Sequence, residues 1–182
     1  IWGNNGSLVS APCLRKTVPY DPLKDYEHIT QVTSTPTLLV VKPSLAAKSM
    51  KELVALAKAK PGQLNYAAPS GTHFLAMETL KLRAGLDIMH IPYKGSGPAL
   101  LSFLGGELDM LFDGPLAAIP HIKSGKARAL AVGSAKRWGA LPDVPTVSES
   151  GFPGFEATVW NGMVAPAGTP KEIIKKLNAE NF

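Results

Sequence analysis

Through the middle of the chain, short apolar runs alternate with stretches of helical period. Leu38–Lys42 is a β-rich apolar run, and Leu64–Ala68, Ile88–Ile91, Leu108–Phe112 and Ala127–Val132 are further strand-sized runs. Between them, Ser49 to Lys60 reads as a helix. Met50, Leu53, Val54 and Ala57 repeat at helical spacing, Ser49 and Glu52 form a capping box, and Pro61-Gly62 ends it. Thr72 to about Leu82 is a second helix, stopped near Gly85. Pro98–Leu104 is a third, closed by Gly105-Gly106, and Pro115–Lys123 a fourth. Strands alternating with helices predict a mainly parallel sheet covered by helices on both faces.

Beyond Val132 the rhythm changes. Residues 133–147 read as a loop with Pro142 and Pro145, and Thr146 and Glu149 as the cap of a very short helix. Phe155–Asn161 reads as a strand. A loop at Ala165–Thr169 leads to a helix from Pro170, with Thr169 and Glu172 as a capping box. Both ends read as cut: Ile1 to Gly6 resembles the last residues of a strand running into a turn, and Phe182 falls inside a helical pattern.

Composition narrows the class. The 182 residues are 45% hydrophobic and 18% charged, which is globular and not disordered. No stretch approaches the roughly 18 apolar residues of a membrane span. One cysteine, Cys13, excludes an internal disulfide and a cysteine-cluster zinc site. The net charge of +5 is spread over helix faces, with no basic tract and no nucleic-acid-binding signature, so no nucleic-acid partner is expected.

Enzyme motifs are missing: there is no GxSxG, GxxxxGK[ST], HExxH or GxGxxG. The four histidines are isolated in sequence, and neither a metal nor a cofactor is called for. What repeats is a strand running into a Gly/Ser/Thr-rich turn and then a helix: Pro69-Ser70-Gly71-Thr72-His73, Tyr93-Lys94-Gly95-Ser96-Gly97, and Asp113-Gly114-Pro115. In a parallel sheet these turns share the carboxyl edge, where ligands bind. Helix starts offer amide hydrogens, hydroxyls and the positive dipole end, which suits a carboxylate or phosphate. Ser70, Gly71 and Thr72 are the better cradle; Ser96 and Gly97 are the second. Each turn also reads as an ordinary cap. Asp113 is either a turn residue or the holder of a water or an amino group, and His73 either an anion donor or a passive first-turn residue.

Several strings then resemble a known family: VPYDPLKDYEHIT (18–30), LLVVKPSLAAKSMKELVALAKAKPGQLNYA (38–67), HIPYKGSGPALLSFLGGELDMLFD (90–113), and residues 125–180 with LPDVPT and APAGTP. Together they resemble the tripartite tricarboxylate transporter substrate-binding proteins, the Bug or TctC-like receptors. The resemblance implies an α/β, type II periplasmic-binding-protein-like fold of two Rossmann-like lobes with mainly parallel sheets, the first lobe incomplete here. Residues 1–37 and 131–182 would be parts of that lobe, and 38–130 the second lobe.

The resemblance also implies function. The protein would capture a small di-, tri- or aromatic carboxylate in an interlobe cleft and deliver it to the membrane subunits of a transporter. It would do so in the periplasm, without chemistry; no signal peptide lies in these residues. Ser70-Gly71-Thr72 matches the family's ligand loop, which is two or three residues shorter here, with His73 close behind. Gly95, Ser96 and Asp113 match ligand positions. Asn5 and Gly6 match a first-lobe strand end, and Trp160 a hinge-side aromatic. Two alternatives stay open: an α/β enzyme using the same cleft, with Asp113 or His73 as acid and base, and a truncated remnant that binds nothing. If the chain is truly cut, an exposed sheet edge predicts self-association.

Overall fold

A computed structural model describes residues 1–180; the helical pattern at Phe182 lies outside the described residues. The chain divides into two compact units, Ile1–Ser34 with Val159–Phe182, and Thr35–Thr158.

The second unit is an α/β sandwich. Its strands are β3 (Leu38–Val41), β4 (Asn65–Ala67), β5 (Met89–His90), β6 (Met110–Asp113) and β7 (Arg128–Val132), in the sheet order β5-β4-β6-β3-β7. Four of its helices are α2 (Met50–Ala59), α3 (Gly71–Ala84), α4 (Ser96–Leu104) and α5 (Pro115–Lys123). Every residue of β3 is buried because both faces of the sheet are covered. Leu39 and Val41 join Leu53 of α2 and Met77 and Leu80 of α3 in one core. Leu38 and Val40 join Phe103 of α4 and Ala118 of α5 in the other. Period-2 alternation thus places apolar side chains on both sides, which is why the strand reads as an unbroken apolar run.

The sheet is mixed, where the alternation predicts a mainly parallel one. β4 pairs in parallel with β5 and β6, but β3 is antiparallel to both β6 and β7. β3 has no crossover helix before it. It follows β2 (Tyr26–Pro36) after the single residue Thr37, so nothing requires it to share the direction of the βαβ strands.

Residues 131–158 pack with the second unit, beyond the expected boundary at 130. Gly133 N donates to Thr37 O at 2.8 Å, Ala157 N to Gly133 O at 2.6 Å, and Thr37 Oγ1 to Ala157 O at 2.8 Å. Only glycine fits at 133: a Cβ would lie 2.0 Å from Thr37 Oγ1 and 2.7 Å from Ala157 O. Thr146 and Glu149 make the expected reciprocal bonds, at 2.8 and 2.9 Å, but they close a turn and not a helix.

The first unit holds β1 (Trp2–Asn4), β8 (Thr158–Pro166) and β2 in the order β1-β8-β2. β1 is antiparallel to β8, with Gly3 opposite Gly162. After β1 comes a π-helical segment, Gly6–Ser10, that runs into α1 (Ala11–Leu14) where a turn is expected. β8 begins three residues later than the sequence suggests and continues to Pro166, because pairing with the N-terminal residues extends it; Val164 N donates to Ile1 O at 2.9 Å. The last helix, α6 (Lys171–Ala179), is capped by Pro170; Thr169 Oγ1 turns back to donate to Pro166 O instead of capping.

Candidate functional site

The carboxyl ends of β4 and β6 and the starts of α3 and α4 bring four of the singled-out side chains together. Ser70 leaves β4 in an extended conformation (φ −135°, ψ 162°), which turns its hydroxyl over the first turn of α3. Ser70 Oγ accepts the His73 amide at 3.4 Å and lies 2.6 Å from His73 Nδ1. His73 Nε2 in turn lies 3.8 Å from Asp113 Oδ1, at the end of β6. The same Oδ1 accepts from Ser96 Oγ at 3.0 Å and from Gly114 N at 2.7 Å. Ser70–His73 and Ser96–Asp113 are therefore two hydrogen-bonded pairs that face each other across the sheet edge.

Two of the hydroxyls that the turns offer to an anion are thus engaged inside the protein, Ser70 with His73 and Ser96 with Asp113. The first amide of α3, that of Gly71, has no intrahelical acceptor. Thr72 is half-buried beside it. At the second turn, Gly95 caps α4 with φ +101°, a region closed to ordinary L side chains, and a Cβ at Gly95, Gly97 or Gly114 would meet nothing within 4 Å. The backbone at Gly95, Gly97 and Gly114 is open on that side.

Buried charge sets the electrostatics. His73 and Asp113 are 6% and 4% exposed. Burial pulls the His73 pKa below the ordinary histidine value, and the Asp113 carboxylate opposes that shift. His73 Nε2 and Asp113 Oδ2 have no hydrogen-bond partner among the described residues. His90, at the end of β5, plays a packing part: its ring lies against Tyr66 and Phe74, with centroids 5.0 and 4.9 Å away.

Asn5, Gly6 and Trp160 belong to the first unit. Asn5 and Gly6 open the π-helical segment after β1. Trp160, on β8, lines a cavity of about 240 Å³ with His28, Ile29, Met163 and Val164. The Gly114 amide was not anticipated as part of the site; the Asp113-Gly114 dipeptide that signals a turn was its only trace. No group of three or more His, Cys, Asp or Glu side chains is placed to hold a metal ion among the described residues.

Residues 3–181 match the tripartite tricarboxylate transporter family receptor (TctC). The chain belongs to this family. Among TctC-family relatives, Protein BugT of Bordetella pertussis is 40% identical over 167 residues, 91% of this chain and 51% of BugT. A Rhodopseudomonas palustris protein, Rpa4515, solved with adipate, superposes at a TM-score of 0.92 with 35% identity, over 99% of this chain and 61% of that one. MatC from the same organism, solved with bound malate, gives 0.85 and 31%, over 99% and 62%. The fold is accordingly that of the periplasmic binding proteins. The chain spans about half the length of the curated relatives it matches.

Proposed function

We propose that this TctC-family chain is a periplasmic receptor that captures a small organic carboxylate for delivery to the membrane subunits of its transporter. The observation that carries the reading is the convergence of two helix starts, those of α3 and α4, on the edge that holds Ser70, His73, Ser96 and Asp113. A carboxylate seated on the first turn of α3 would take the Gly71 and Thr72 amides and the Thr72 hydroxyl, with the α3 dipole behind them. The Gly95–Ser96 turn would close the other side. Neutral donors suffice, because a carboxylate accepts charge-assisted hydrogen bonds without a formal cation. The adipate and malate held by Rpa4515 and MatC support this ligand class.

The receptor performs no chemistry in this reading. An enzyme would need a titratable pair, and His73 with Asp113 is one. The pair is tied, however. Ser70 Oγ serves as the α3 cap as well as the partner of His73, and Asp113 Oδ1 already accepts from Ser96 and Gly114.

The test is calorimetric titration of the purified chain with a panel of mono-, di- and tricarboxylates including adipate and malate. Binding of at least one is expected, weakened about tenfold or more in the Ser70→Ala/Thr72→Ala double variant with the fold retained. A panel with no binder at millimolar concentration overturns the reading.

A further inference from the structure

His73 Nε2 and Asp113 Oδ2 are shut away from solvent, and neither has a hydrogen-bond partner among the described residues. Their side chains are only 8% and 5% exposed, and the 3.8 Å from Nε2 to Oδ1 is too long for a hydrogen bond. Buried polar atoms are costly unless something pairs with them, and these two ask for different partners. Ser70 Oγ takes the His73 amide as acceptor and turns its own proton to Nδ1. The Asp113 carboxylate on the opposite side of the ring favours the tautomer with the imidazole proton on Nε2. Nε2–H is then a donor and Oδ2 an acceptor.

One group satisfies both atoms at once. A hydroxyl accepts from Nε2–H and donates to Oδ2. A carboxylate has no proton for Asp113 and sets two negative charges side by side. An ammonium pairs with Asp113 but leaves Nε2–H facing a cation.

We propose that His73 and Asp113 form a subsite for a hydroxyl on the carboxylate ligand, so that the receptor prefers hydroxy acids to their deoxy analogues. The inference rests on the carboxylate-receptor reading above. His73 is the third residue of α3. A hydroxyl beside it therefore lies close to a carboxylate seated on the first turn, and a 2-hydroxy acid fits that spacing. Ser96 is a positioning residue. With the Gly114 amide it holds Oδ1 and leaves Oδ2 for the ligand.

Calorimetry on the chain with matched sets tests this: succinate, malate and aspartate; glutarate, 2-hydroxyglutarate and glutamate; adipate, 2-hydroxyadipate and 2-aminoadipate. In the set that binds best, the hydroxy member is expected to bind about tenfold or more tighter than the deoxy member. Asp113→Asn keeps Oδ1 for Ser96 and Gly114 but replaces the Oδ2 acceptor with an amide donor. The preference should then fall to within about threefold. Ser96→Ala, which leaves the carboxylate in place but unlatched, should lower the preference partway. Three results overturn the proposal and leave a carboxylate receptor standing: a deoxy acid that binds as well, an amino acid that binds best, or a preference that survives Asp113→Asn. Absence of binding across all sets overturns the receptor reading itself, and this inference with it.

Discussion

Strand β6 is bracketed by two aspartates, and their environments are opposite. Asp109, at the amino end, is fully matched. Lys42 Nζ sits 2.6 Å from its Oδ1, and the Asn65 amide donates to Oδ2 at 2.9 Å. Its own amide donates to Asn65 Oδ1 at 2.8 Å, and its carbonyl accepts from Lys42 N at 3.0 Å. Asp113, at the carboxyl end, is more deeply buried. It has no lysine or arginine partner among the described residues, only a hydroxyl and an amide on one oxygen, and its other oxygen is unmatched. One end of the strand is stitched for stability, and the other keeps polar atoms unspent. The contrast teaches that buried charge marks a site only where its partners are incomplete, since proteins otherwise satisfy such groups from within.

Removing the stitched aspartate should have the largest effect. Asp109→Ala leaves Lys42 and the Asn65 amide without their acceptor, and is expected to cost about 3 kcal/mol, read as a lower urea midpoint with an unchanged slope. A loss no greater than that of a typical surface substitution would erase the distinction between the two ends.

Next come two serine caps. Ser70→Ala removes both the α3 cap and the partner of His73 Nδ1, and is expected to cost about 2 kcal/mol and to weaken carboxylate binding. Ser49 caps α2 by accepting the Glu52 amide at 3.2 Å, at no candidate site. Ser49→Ala is expected to cost about 1 kcal/mol and to leave ligand affinity unchanged. Thermal melts with and without ligand separate the two.

Mild acid addresses the carboxyl end through His73. Burial holds the folded-state pKa of His73 below its unfolded value near 6.5, so the folded protein binds fewer protons than the unfolded chain. Its contribution is complete above about pH 6.5 and is lost as pH falls through that value, levelling off below the folded pKa. His90 is shifted in the same direction by burial. Carboxylates that the fold holds low, such as Glu78, begin to matter only below about pH 4.5. Stability should therefore decline from pH 6.5 towards 5, and His73→Asn should flatten part of that slope and leave the part due to His90.

The smallest stability effect is expected at the unmatched aspartate. Asp113→Asn preserves the acceptor for Ser96 and Gly114, relieves a buried charge, and should shift stability by no more than about 1 kcal/mol. If the Asn variant instead unfolds as readily as Asp109→Ala, Asp113 is structural and the comparison collapses.

Much of the second unit was legible from local pattern. The Ser49 cap, the αL glycine at 85 that stops α3, and the limits of α5 all follow from side-chain period and turn chemistry acting over a few residues. The 11-residue β2 was not legible. Its buried positions, Ile29 and Pro36, follow no strict alternation, and its ladder partner comes from more than a hundred residues away. The expected Thr169 cap is displaced by one residue: α6 starts at Lys171 with Pro170 at its N-cap, and Thr169 Oγ1 donates to Pro166 O. The strand-to-helix turns carried Ser70, His73, Ser96 and Asp113 as candidates, but nothing in their spacing linked the local Ser70–His73 pair to Ser96 and Asp113.

By itself the sequence determined the alternation of strands and helices, the Ser49 cap, and the edge on which the strand-to-helix turns would gather, because those depend on period, backbone freedom and neighbours in the chain. The tertiary structure alone decided which turns meet. It set the direction of β3, joined residues 131–158 to the second unit, and placed Ser96 on Asp113 and Asp113 before His73. Those outcomes depend on strands pairing across dozens of residues, and no short-range preference encodes them. The Ser96 hydroxyl that looks available in sequence is engaged by Asp113, a partner that only folding supplies, and the atoms left unpaired are the ones on which specificity can act.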